Sequence, residues 1–155
     1  EGGSFAYITV GHGKEAADAS AHRRGYNVAV VHERSGEVLA SRGFDTWANV
    51  YESERLAAFL AEIPAGRIVV AAAQEDAGRS LTDDALRALG SIGAATDVRG
   101  QEGLAHAVVG VKGAAPGAAL ELTDQRSAYL RIGRNPDDRT LGAALDWVGL
   151  DPLEP

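Results

Sequence analysis

The chain contains no cysteine. That excludes disulfides, thiolate zinc sites and thiol nucleophiles. Chemistry must come from its histidines, acids and cationic side chains. His12, His22 and His32 recur at even spacing, but a metal set would need them to converge from three different elements. As surface histidines on a turn and two strand ends they need no metal. His106 is flanked by alanines in an expected strand, as a packed or surface-strand histidine rather than a ligand. Lys14 in GHGKEA lacks the following Ser/Thr and the leading spacing of a phosphate loop, and GVKGAAPG carries no dinucleotide fingerprint. No G-x-S-x-G elbow is present. Glu75 and Asp76 directly follow the apolar run RIVVAAA. Acids at the carboxyl end of a strand can rim a binding site, or can simply solvate a turn. Asp83 and Asp84 read as helix N-terminal charges. Asp45 reads as the closure of a strand–helix corner. A retaining glycosidase needs two carboxylates about 5 Å apart, and spacing places no second acid against Glu75. A hydrolase or transferase thus has no positive support, and no metal or cofactor is expected.

The elements that must position these groups follow from periodicity. Phe5–Val10 (FAYITV) alternates as a strand, with Phe5, Tyr7 and Thr9 on one face. Gly11–Lys14 is a turn, and Glu15–Arg23 fits either a short helix or a polar edge strand. Tyr26–Val31 is apolar throughout, so a central strand. Glu33–Gly36 is a hairpin turn, with Gly36 where positive φ is needed, and Glu37–Phe44 returns. Asn49–Ile63 is the best-patterned helix: Val50, Leu56, Phe59, Leu60 and Ile63 recur at helical spacing, with Glu52, Glu54 and Arg55 mostly on the other side. Pro64 and Gly66 stop it. Arg67–Ala73 is a buried strand. Thr82–Leu89 is a second helix, N-capped by Thr82 and ended by Gly90. After a loop over 93–104, strands are expected at 105–111, 118–123 and 128–132, a turn at 135–138, and a short final helix at 141–148. Hairpins without regular βαβ units indicate an α+β fold, with helices packed on mainly antiparallel sheet.

At 155 residues and 45% hydrophobic composition the chain is expected to form one domain with a substantial core. Its formal net charge of −7, without a basic cluster, argues against nucleic acid and anionic membranes as partners. No apolar run has the roughly 18–20 residues needed to cross a bilayer. The chain starts at Glu1 without a methionine, as expected of a domain excised from a longer protein. Membrane contact would then occur only through other parts of that protein. An alanine-rich composition with Arg over Lys suggests a GC-rich bacterial genome.

The strings RGYNVAVV, GEVLASRGFDTW, ESERLAAFLAEIPAGRIVVAAAQEDAG, LTDDALRALGSIG and AVVGVKG, in that order, resemble the interleukin-like EMT inducer (FAM3) domain family. The resemblance covers about residues 5–123, with 124–155 as a C-terminal extension. It implies a β-β-α fold: two packed, mainly antiparallel sheets with helices outside. It also implies an extracellular or periplasmic location, as part of a membrane or secreted protein. Members include cytokine-like factors, and the similar, lectin-like stem domain of protein O-linked-mannose β-1,2-N-acetylglucosaminyltransferase; neither is catalytic. The lectin-like precedent implies sugar contacts from Arg24 and from Glu75, with Asp76 beside it. Its later Arg-Asp-x-Trp motif is absent here, since Gly103 and His106 occupy those positions. Arg99, in the longer loop, is the arginine left for that role.

Three functional expectations result. One is a non-catalytic module binding a glycan or amino sugar through Arg24, Glu75, Asp76 and Arg99, on a larger envelope or glycosylation-related protein. The second is a protein-interaction or assembly module with no sugar site, in which Arg24 forms a structural salt bridge to Glu75 or Asp76. The third and least supported is an enzyme domain.

Overall fold

The computed structural model describes residues 5–11, 16–132 and 147–150, the last as backbone. Their order is β1 (Tyr7–Val10), β2 (Ala17–Asp18), β3 (Gly25–Val31), β4 (Val38–Phe44), α1 (Val50–Glu62), β5 (Ile68–Gln74), α2 (Asp83–Gly90), β6 (Ala105–Val111), β7 (Leu120–Asp124), β8 (Tyr129–Ile132) and β9 (Trp147–Leu150). A five-stranded sheet runs β4-β3-β5-β6-β7, and a four-stranded sheet runs β2-β1-β9-β8. The larger is antiparallel throughout. The smaller is mixed: β1 is antiparallel to β2, while β9 is parallel to both β1 and β8. The fold is α+β, as the hairpin-rich pattern implied.

The larger sheet is covered on both faces. Tyr26, Val28, Val30, Val69, Ala71, Ala73 and Val108 join Leu56, Leu60, Ala85 and Leu89 in one core beneath the helices. Ala29, Val31, Val70, Ala72, Ala107 and Val109 join Ala6, Ile8 and Val10 in a second core between the sheets. Strand side chains alternate faces, so three strands buried on both sides must be continuously apolar, as YNVAVV, IVVAAA and HAVVGV nearly are.

Several expectations are refined. Ala17–Asp18 resolves the ambiguous segment as an edge strand. In β1 it is Ala6, Ile8 and Val10 that face the core, leaving Phe5 and Tyr7 exposed. The final-helix expectation is corrected where it can be tested: Trp147–Leu150 is a strand, while 133–146, with the turn at 135–138, lies outside the described residues. Gly36 has the expected positive φ of 71°. Asn49 and Thr82 cap their helices, each accepting a backbone N–H in the first turn. On α1, however, Val50 is exposed and Glu52 is buried. Glu52 is recruited inward because its carboxylate accepts the Asp45 N–H at 3.1 Å and Arg55 Nη1 at 2.7 Å.

A buried polar relay was not legible in the pattern. Of the two placements expected for His106, the packed one holds, at 2% exposure, and with specific partners. Tyr26 Oη lies 2.7 Å from its Nδ1, and Glu121 Oε1 lies 2.8 Å from its Nε2. Glu121 also accepts the Ala95 and Thr96 N–H groups at 2.8 and 3.1 Å. Burial alone would raise the Glu121 pKa, but these donors hold it down at about 2. An Nε2–H donated to the ionised Glu121 carboxylate leaves Nδ1 to accept from Tyr26. Burial also pushes the Tyr26 phenol above its ordinary range. A depressed carboxylate contributes stability above its unfolded pKa and loses it as pH falls through the folded value. Glu121 should therefore contribute fully above about pH 4.5 and lose that contribution toward pH 2. Glu121→Gln should cost about 1–3 kcal/mol in neutral urea unfolding and flatten the wild-type slope in that acid window; an unchanged slope would contradict the relay.

Candidate functional site

Register brings three separated segments to one end of the larger sheet. Gly25 pairs with Gln74, and Tyr26 pairs with both Phe44 and Ala73. The residues just outside these pairs are Arg24, Asp45 and Glu75. Gly25 has φ of 91°, and a Cβ there would stand 2.1 Å from the Phe44 carbonyl oxygen, so the Arg24–Gly25 step requires glycine. The loops then lock together. Thr46 Oγ1 donates to the Ala77 carbonyl at 2.7 Å, Ser80 N–H donates to the Thr46 carbonyl at 2.9 Å, and Ser80 Oγ donates to the Trp47 carbonyl at 3.1 Å. On the far side of this loop, a Cβ on Gly78 would lie 2.4 Å from the Val98 carbonyl oxygen. The 97–99 backbone thus packs directly on the segment after β5.

Arg24 is the centre of this end. Its Nε and Nη2 donate to the two Asp45 carboxylate oxygens at 2.9 and 2.8 Å, a bidentate geometry that suits a planar guanidinium. Its Cζ stands 3.8 Å from the Trp47 ring centroid, and the Arg79 Cζ stands 4.1 Å from the same ring. The Asp45 hydrogen bonds raise the Arg24 pKa, and the charge of Glu75 adds to the effect. The same pair lowers the Asp45 pKa. The bidentate partner of Arg24 is Asp45, which the sequence expectation did not name and which reaches Arg24 because β4 ends beside Gly25; Glu75 acts on Arg24 through its charge. Asp45 also closes its corner as expected, accepting the Ala48 N–H at 3.1 Å.

Glu75 is exposed and adopts φ of 58°, a left-handed conformation that a non-glycine residue rarely takes and that often marks a functional loop. Asp76 is partly exposed beside it. Arg99 lies against this assembly through its backbone, but its guanidinium is engaged elsewhere. It donates to Asp97 at 2.7–3.0 Å and to Asp83 at 2.5 Å, which raises its pKa. Structure therefore gathers Arg24, Glu75 and Asp76 at one end, and places Arg99 alongside with its donors on two other acids. Trp47 and Arg79 were missed. The aromatic after Phe-Asp-Thr and the arginine four residues after Glu75 carry no periodicity, and only the loop packing unites them.

The other chemical candidates fall away. His22 pairs with Asp18 at 2.7 Å, and His32 Nδ1 accepts the Arg34 and Ser35 N–H groups within its turn; His12 and Lys14 lie outside the described residues. Among the described residues no group of three or more His, Asp and Glu side chains could hold a metal ion, and no helix is long and apolar enough to cross a membrane. Asp45→Ala should free Arg24 from its fork and from its position on Trp47. Because Arg24 is 33% exposed, water offsets part of the loss, and urea unfolding should register about 1 kcal/mol. Trp47 fluorescence should shift with it.

Residues 24–114 match the family described as Interleukin-like EMT inducer. The human cell migration-inducing and hyaluronan-binding protein (Homo sapiens) is 37% identical over 93 residues, 60% of this chain and 6% of that protein. Human Protein FAM3D is 33% identical over 70 residues, 45% of this chain and 30% of that protein. The cell surface hyaluronidase of Danio rerio is 41% identical over 58 residues, 37% of this chain and 4% of that protein. The chain thus spans a small part of the curated relatives it matches. The matched segment begins at Arg24, runs through β6 and includes the Arg24–Asp45 fork, Trp47, Glu75 and the 97–99 loop, and on it the chain belongs to the interleukin-like EMT inducer family.

Proposed function

We propose that this chain is a non-catalytic carbohydrate-binding module, with its site at the Arg24 end of the larger sheet. The carrying observation is the fork of Arg24 on Asp45, held against the Trp47 ring beside Glu75. A sugar presents paired hydroxyls on an otherwise apolar ring. Planar donors and carboxylate acceptors in one place match its hydroxyls. Arg24, Glu75 and Asp76 supply the polar groups, Trp47 orders the guanidinium groups that lie over its ring, and Arg99 shapes the adjoining loop. The printed names of two relatives, one hyaluronan-binding and one a hyaluronidase, support a saccharide as ligand class. The name of the latter also supports an extracytoplasmic module of a larger protein. On composition, we place that protein in a bacterial envelope or glycosylation system.

A cleft of about 360 Å³ lies at the opposite end of the sheets, lined by Val10, Val31, Ile68, Val109 and Leu120 among others. His32, Glu33 and Arg34 also line it, but most of its wall is aliphatic and Arg67 already holds Glu33, so the reading rests on the Arg24 end. A second reading, a protein-interaction module, has its own support: Val38 and Leu39 on edge strand β4, with Val50 and Tyr51 on α1, are exposed. Light scattering and pull-downs separate the two, a strict monomer with no captured partner counting against the interaction module.

Titration of the folded protein with N-acetylhexosamines and a glycan array, followed by NMR, should shift Arg24, Trp47 and Glu75 resonances. No shift at millimolar sugar would overturn the reading. Glu75→Gln should weaken binding about tenfold, the worth of one charged hydrogen bond, with an unchanged melting temperature.

A further inference from the structure

The Arg24 end contains a guanidinium that its own carboxylates do not use. Arg24 has both its Nε and its Nη2 on Asp45, so the residue expected to read the ligand has most of its donor fork occupied. Arg55, Arg67, Arg87 and Arg99 likewise have carboxylate partners. Arg79 has no carboxylate within ion-pair distance among the described residues. It is exposed, and its contact is the Trp47 ring at 4.1 Å. A guanidinium held over an aromatic ring keeps N–H groups for a further partner, and the ring contact limits the freedom of its side chain. Arg79 is therefore a preorganised, unoccupied planar donor beside the proposed sugar site.

Its charged surroundings specify the ligand further. Arg23 lies beside the fork: its stem crosses Gly43, where a Cβ would meet it within 2.9 Å, and its charge lowers the pKa of Asp45 and Glu52. Opposing these cations are Asp45, already held by Arg24, Glu52, already held by Arg55, and the acids Glu75 and Asp76 on the loop that carries Arg79. Two carboxylate acceptors next to a free guanidinium suit a molecule with hydroxyl donors and one anionic group together. A phosphodiester polyanion lacks the hydroxyl density and would be repelled by Glu75 and Asp76.

Building on the saccharide reading above, we infer that Arg79, stacked on Trp47, is the anion-recognition residue of this site, and that its ligand class is an acidic saccharide bearing a carboxylate or a sulfate. The ligand's anion takes the bidentate edge of Arg79, while its hydroxyls donate to Glu75 and Asp76.

The test compares three oligosaccharides of one length by calorimetry and NMR on the intact chain: a uronate-containing tetrasaccharide, its carboxyl-reduced neutral counterpart, and a sulfated analogue of the neutral form. The uronate or the sulfated form should bind about tenfold tighter than the neutral one. Whichever of them gains more identifies the anion. Arg79→Gln should abolish that preference, keep the weaker binding of the neutral sugar, and leave the melting temperature unchanged. Equal affinity for the charged and neutral forms, or an unchanged preference in Arg79→Gln, would overturn the role of Arg79 while leaving the saccharide site standing. No binding of any of the three would overturn both.

Discussion

Strand β3 is hydrogen-bonded along both edges, to β4 and β5, and packed on both faces. Its register is therefore the constraint on which the rest depends. A slip of one residue would carry Tyr26, Val28 and Val30 out of the helix-side core and force Asn27 into it. Asn27 instead pairs both its amide groups with the Arg23 backbone, Oδ1 accepting at 2.8 Å and Nδ2 donating at 2.6 Å. That clamp fixes where the strand begins. Once β3 is in register, Arg24, Asp45 and Glu75 have no choice but to meet, because each directly follows or precedes a paired residue.

Small side chains make this arrangement possible. Alanines at 71, 72 and 73 let β5 lie between two layers, with branched residues from β3 and β6 filling the remaining volume. The helices then cover one face and the mixed sheet the other. What is left for solvent contact is the edge strands β4 and β7 and the sheet's two ends. One end is lined mainly by aliphatic residues, with His32, Glu33 and Arg34 among them. The other carries arginines, acids and a tryptophan, and the charge arrangement there is local: a chain of net charge −7 still presents Arg24 and Arg79 over one indole ring.

The loops at this end are held from below. Glu121 anchors the backbone at 95–96 while bonded to His106, which is bonded in turn to Tyr26. A fully buried phenol and imidazole are tolerated because every polar atom of the relay has a partner. The same relay ties β3, β6 and β7 to the loop that packs on Gly78, so core order and loop position are one structural event.

Sequence pattern alone determined the strands that are apolar on both sides, the two capped helices, the Gly36 turn and the α+β class. Each of these depends on local periodicity or on a residue with one conformational speciality. The motif order pointed to the family, and it singled out Arg24, Glu75 and Asp76. Tertiary structure alone decided the partners. It gave Arg24 to Asp45 across twenty intervening residues, turned Glu52 inward, engaged Arg99 with Asp83 and Asp97, and built the Tyr26–His106–Glu121 relay. It also brought Arg24 and Arg79 onto the Trp47 ring. No spacing rule could supply these, because ion pairs and stacking depend on where loops land in space, and that is set by strand register and by close backbone approaches such as Gly78 on Val98 rather than by neighbours in the chain.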